Sequence, residues 1–169
     1  YNLLAGGQAR QLHATQQAID FYQKALRSAH PLPDAETGAE RKQIHLALGE
    51  QYVSTGQYDE ASEHLKTALA LARAQDDHEA EAQCCRWFGR IHEQKGEYTL
   101  ALTWLDRGVT ALRGSLSPEA AELSLLAGLI HIRQGDFGQA AALCERSLQV
   151  ADAQNDIAVR ARTHNLLGI

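Results

Sequence analysis

The 169-residue chain carries 21 acidic against 16 basic side chains, a net charge of −5, and no Lys/Arg run, which argues against a nucleic-acid binder built to neutralise phosphates. Hydrophobic residues make up 44% but aromatics only 6%, and the dominance of Ala and Leu favours helices over strands. No apolar stretch is long enough to span a bilayer, and the opening YNLLAGGQAR lacks the charged, apolar and small-residue order of a signal peptide.

The first predicted element, about residues 1–30, is a divergent helical hairpin that keeps Gly6, Ala18, Tyr22, Ala25 and Leu26 in register, with His13 and Thr15 at its turn. A joint containing Pro31 and Pro33 ends it and is the longest in the chain. A second hairpin is predicted over about 38–74, around Gly49 and the turn GQYDEA at Gly56–Ala61. The third, about 77–113, opens on Asp77 as N-cap and holds Gly89 and GEYTLA at Gly96–Ala101. The fourth, about 117–153, has Ser117 as cap, Pro118 in the first turn, Gly128, and GDFGQA at Gly135–Ala140. Asp156 then caps the opening helix of a fifth, 157–169, which contains Gly168.

The small residues explain the pairing. Gly6, Gly49, Gly89, Gly128 and Gly168 recur about every 40 residues, and Ala18, Ala61, Ala101 and Ala140 follow the first four at a constant interval. Glycine inside a helix costs roughly 1 kcal/mol against alanine, so a periodic helical glycine needs a packing reason. Two small residues at fixed separation let antiparallel helices approach closely. In the shared G-x-[YF]-x-x-A turn the glycine ends the first helix in a left-handed conformation, and Tyr58, Tyr98 or Phe137 plugs the end of the hairpin. Glu97 and Asp136 fall at the start of the second helix, where its dipole favours negative charge. The pairs Ala25/Leu26, Ala68/Leu69, Gly108/Val109 and Ser147/Leu148 are expected to pack on the next hairpin. Trp104 shares its position with Phe21, His64 and Leu143 and is read as interhelical packing.

These residues resemble the tetratricopeptide repeat family, in a long variant with a period near 40. The resemblance implies an all-α fold, a right-handed superhelical solenoid of antiparallel helical hairpins forming one domain, with the first helices lining a concave binding face. The segment ARQLHATQQAIDFYQKALRSA is similar to the first hairpin that follows the ATPase module in large bacterial regulators, among them ATPase-coupled adenylyl cyclases and transcription activators. That likeness implies a sensory or scaffolding arm in signalling. The chain contains no Met and is expected to be a fragment of a longer protein.

Catalytic chemistry is not expected. The eight histidines are scattered with no H-x-x-x-H pair, HEQKG at His92 lacks the second His of a zincin motif, and neither G-x-x-x-x-G-K-[ST] nor G-x-S-x-G occurs. The residues are therefore expected to carry no catalytic, metal or cofactor site. Cys84, Cys85 and Cys144 suit neither a disulfide framework nor a zinc knuckle and are read as reduced, packed thiols of a cytoplasmic protein.

Two candidate partner-binding zones fall on the first helices. Arg86, Trp87 and Arg90, with Glu93 a turn on, offer a seat for an acidic or aromatic side chain. Leu125, Leu126, Leu129 and Ile132, edged by Arg133, form an apolar zone. The carboxylate clamp with which some relatives grip chaperone tails needs Lys and Asn where this chain has Leu46 and Glu50. The expected partner is a protein or peptide segment with acidic or aromatic anchors, or a neighbouring domain of the parent chain, and neither nucleic acid nor membrane. The alternative is a small-ligand or peptide sensor arm of a regulator.

Overall fold

A computed structural model describes the backbone of residues 2–29 and 34–168 and the side-chain surroundings of residues 14–27 and 38–168. Every regular element among them is helical: α1 (Asn2–Ala29), α2 (Asp34–Ser54), α3 (Tyr58–Ala74), α4 (His78–Gln94), α5 (Tyr98–Ala111), α6 (Pro118–Gln134), α7 (Phe137–Gln154) and α8 (Ile157–Leu167). The contacts divide the chain into two compact units, Tyr1–Asp76 with α1 to α3 and Asp77–Ile169 with α4 to α8. The boundary falls in the joint that ends the second repeat. Pro31 and Pro33 lie outside the described residues.

The N-terminal unit corrects the expected first hairpin. Residues 2–29 form one uninterrupted helix of 28 residues, and none of the positive-φ residues among those described lies within it. The later turns reverse at a glycine, whereas His13 and Thr15 here continue a run of Ala, Gln and Leu that favours helix propagation. Phe21, placed by the repeat where an interhelical side chain belongs, is consequently 69% exposed, while Ile19 is buried. α1 meets α2 through Gln23, whose Nε2 donates to the Tyr52 hydroxyl at 2.8 Å.

α2 and α3 form the first true hairpin. It turns at Gly56, which has φ 75°, a conformation that costs glycine little. The helices close tightly at Gly49, where an added Cβ would stand 2.6 Å from Leu65 Cγ and Cδ2. Ala61, Leu65 and Ala68 are fully buried beneath it.

The C-terminal unit repeats this arrangement in α4/α5 and α6/α7. Gly96 and Gly135 make the turns with positive φ, and Gly89 and Gly128 make the close approaches, to Leu105 and Ala101 and to Cys144 and Ala140 respectively. Successive hairpins lock as the small-residue pattern predicts. A Cβ on Gly108 would meet Leu123 of α6 at 2.8 Å, and Ser147 Oγ donates to Ala121 O at 3.0 Å and shares a hydrogen bond with Thr163 Oγ1. Trp104 stacks on Phe88 with ring centroids 4.4 Å apart, which bears out its packing role.

Caps follow the sequence with exceptions. Asp77, Asp136 and Asp156 accept from the backbone N–H three residues on, at 3.0 to 3.1 Å. Ser117 occupies the N-cap position with Pro118 following, yet its hydroxyl makes no capping bond. Glu97 likewise forms none and pairs with His92 Nδ1 at 2.6 Å. Tyr98 packs on the core of α5 and α6 as a plug should, but Phe137 is 69% exposed. Gly168 follows α8 with φ 77°.

Candidate functional site

The first helices of the C-terminal unit, α4, α6 and α8, pack side by side, and all seven candidate residues lie on α4 and α6. The helical spacing puts Arg86, Arg90 and Glu93 on one face of α4, and Leu125, Leu129, Ile132 and Arg133 on one face of α6. Ion pairs across the seam prove that these faces adjoin.

At one end Arg86 Nε donates to Glu119 Oε1 at 2.5 Å, with the Glu119 side chain only 5% exposed. Burial pushes the Glu119 carboxyl above its usual range, and the Arg86 guanidinium pulls it partly back. The guanidinium also lies 4.6 Å from the centre of the half-buried Trp87 ring. The expected open seat between Arg86 and an indole is therefore already filled from within, because a buried carboxylate on the next helix requires that cation.

At the other end stands Glu93, whose side chain is fully buried. Its Oε2 accepts from Arg90 Nη1 at 3.3 Å and from Gln94 Nε2 at 2.8 Å. Its Oε1 pairs with the Arg133 guanidinium of α6. Arg90 is 39% and Arg133 41% exposed, so each guanidinium covers the carboxylate with one edge and meets solvent with the other. The seam from α6 to α8 is closed by Glu122, which receives both terminal nitrogens of Arg162.

The apolar zone is less open than its composition implies. Leu125 and Leu126 are buried, and Leu129 packs partly onto the core of α5 and α6. Leu125 is corrected from groove lining to core, since α6 has helices on both flanks and its middle turns have little surface left. Leu129 and Ile132 remain half-buried beside Arg133.

The glutamates that organise this face were not among the seven candidates. Glu93 was noted only as a neighbour, and nothing in one helix's sequence announces that its carboxylate is buried by the next. A second polar cluster escaped notice in the N-terminal unit, where His45 Nδ1 and His64 Nδ1 stand 2.9 Å apart and Tyr52 stacks on His64 at 5.5 Å. Repeat register held the clue, because His64 occupies the place that Trp104 fills in the next hairpin. Burial lowers the basicity of both rings, that of His45 to a pKa of about 4, with the facing His64 and then Arg41 adding to the effect.

Among the described residues no group of three or more His, Cys, Asp or Glu side chains is placed to hold a metal ion, and no helix is long and apolar enough to cross a membrane. The three cysteines are buried thiols, and burial pushes the Cys144 thiol up. Comparison with protein families gives two matches to the tetratricopeptide repeat, one over residues 41–114 and one over 108–156. No curated protein matches the chain.

Proposed function

Since this chain belongs to the tetratricopeptide repeat family, whose repeats generally mediate protein–protein interaction or scaffolding on a typically non-catalytic fold, we propose that it holds a protein or peptide segment against its α4/α6 face. The observation that carries this reading is the pair of half-exposed guanidiniums of Arg90 and Arg133, fixed by the buried Glu93 carboxylate. Long flexible side chains lose rotamer freedom on binding. Here that loss has been taken in the fold, so the face is pre-organised. Ile132 and the accessible part of Leu129 supply apolar contact beside the charges. Arg86, held by Glu119, and the buried Leu125 support the face from beneath.

The test is photo-cross-linking. A photoreactive amino acid placed at Gln94 or Ile132 should give adducts with a partner segment, whereas the same residue at Thr103 or Thr110, exposed on α5, should give none. Adducts from the α5 positions alone would refute the assignment of the face.

A further inference from the structure

The N-terminal unit carries a cluster that lies on other helices than the docking face and does not depend on it. His45 of α2 and His64 of α3 present their Nδ1 edges to each other, with the two atoms 2.9 Å apart and the ring centroids at 5.1 Å. Two imidazole nitrogens that converge from separate helices can share a proton or a metal ion. Tetrahedral zinc, with Zn–N of about 2.0–2.1 Å, sets two such nitrogens about 3.3 Å apart, so the rings need part by only about 0.4 Å. Side-chain rotation can supply a change of that size. Burial favours the neutral form of both rings near neutral pH, so protons compete little for the two nitrogens. Tyr52, stacked on His64 with its hydroxyl bonded to Gln23 of α1, fixes the orientation of that ring. His45 is buried and His64 half-buried, so an ion can enter from the His64 side.

We propose that His45 and His64, joined by Glu60, bind one zinc ion that staples α2 to α3. Two ligands, the imidazoles, are already in place; the third comes from α3 itself. Glu60 is exposed and lies four residues before His64, a spacing that sets two helical side chains on one face with their Cβ atoms about 5–6 Å apart. Turning its carboxylate inward completes a two-histidine, one-glutamate set, which zinc accepts with water in the fourth position. The charges favour this ligand. The Arg41 guanidinium is felt at His45 and opposes a bare cation, while Glu63 is engaged by Lys66 at 2.8 Å. Glu60 brings the negative charge that offsets Arg41. On binding, the ring that donates through Nδ1 moves its proton to Nε2, so both rings stay neutral and both Nδ1 lone pairs face the metal.

The experiment titrates zinc chloride into the chelator-treated chain and follows the histidine rings by long-range ¹H–¹⁵N spectra, with thermal melting alongside. One equivalent should move the Nδ1 signals of His45 and His64, fix both rings as Nε2–H tautomers, and raise the melting temperature with zinc concentration. Magnesium chloride, whose ion takes oxygen ligands, should do neither. Glu60→Gln, at an exposed position, should fold normally and weaken zinc binding by about tenfold. His64→Gln should abolish binding, whereas His164→Gln, exposed on α8, should leave it intact. Zinc shifts confined to other histidines would overturn the site. So would the absence of any shift at His45 and His64 at submillimolar zinc, or an unchanged affinity in Glu60→Gln. The ring spectra are read on the unaltered chain, so a folding defect in His64→Gln does not decide the outcome.

Discussion

Acidification should loosen the N-terminal unit through the His45–His64 pair. The two Nδ1 atoms are 2.9 Å apart, so in the neutral state one ring donates and the other accepts. Protonating both sets two N–H groups against each other and breaks the bond. The pKa of His45 falls from 6.5 to about 4 on folding, and that of His64 falls as well. Arg41 on α2 opposes protonation of His45, while Glu63 on α3 favours it at His64. Because the unfolded chain binds these protons more readily, the stabilising contribution is complete above pH 6.5 and is lost as the pH falls toward 4.

At about 1.4 kcal/mol per tenfold change in proton affinity, the His45 change alone amounts to roughly 3 kcal/mol. The half-buried His64 ring keeps contact with solvent, which reduces the expected loss to about 1–2 kcal/mol. Urea unfolding followed by circular dichroism at pH about 7.5 and about 5 measures it. The double variant His45→Phe with His64→Phe keeps the aromatic stacking surface and should lose most of this difference. An unchanged pH dependence in the double variant would refute the shared-proton account.

Four further outcomes follow from the packing. Gly89→Ala places a Cβ 2.7 Å from Leu105 Cδ2 in a buried seam and should lower stability by about 1–3 kcal/mol. Gly128→Ala meets nothing closer than Cys144 Sγ at 3.2 Å and should be near neutral, because the gain in helix propensity of about 1 kcal/mol offsets the crowding; equal costs at both sites would contradict the register. Arg86→Gln leaves the buried Glu119 without its cation and should cost about 1–3 kcal/mol at neutral pH, a loss that the further change Glu119→Gln should largely restore in a double-mutant cycle. Removing the Asp156 cap with Asp156→Ala should cost about 1 kcal/mol, read as a lower thermal midpoint.

Local chemistry accounts for what was legible from the chain alone. Gly49, Gly89 and Gly128 are helical close-approach points, Gly56, Gly96 and Gly135 are left-handed turns, and Asp77 and Asp156 are caps. Each is fixed by residues within one turn or one hairpin, so spacing reveals it. The all-α helical-repeat fold follows from the same periodicity.

Tertiary structure decided the rest. α1 is continuous because no turn glycine competes with helix propagation, and Phe21 stays exposed because no second helix folds back onto it. Whether Arg86 or Arg90 is open to a partner depends on carboxylates that α6 buries against α4 or that α6 helps to cover, Glu119 and Glu93. The His45–His64 contact arises where two helices meet nineteen residues apart in sequence. Periodicity names the positions that face a neighbour, but charge pairing and burial are properties of two surfaces at once, and only their assembly determines which charges are already spent.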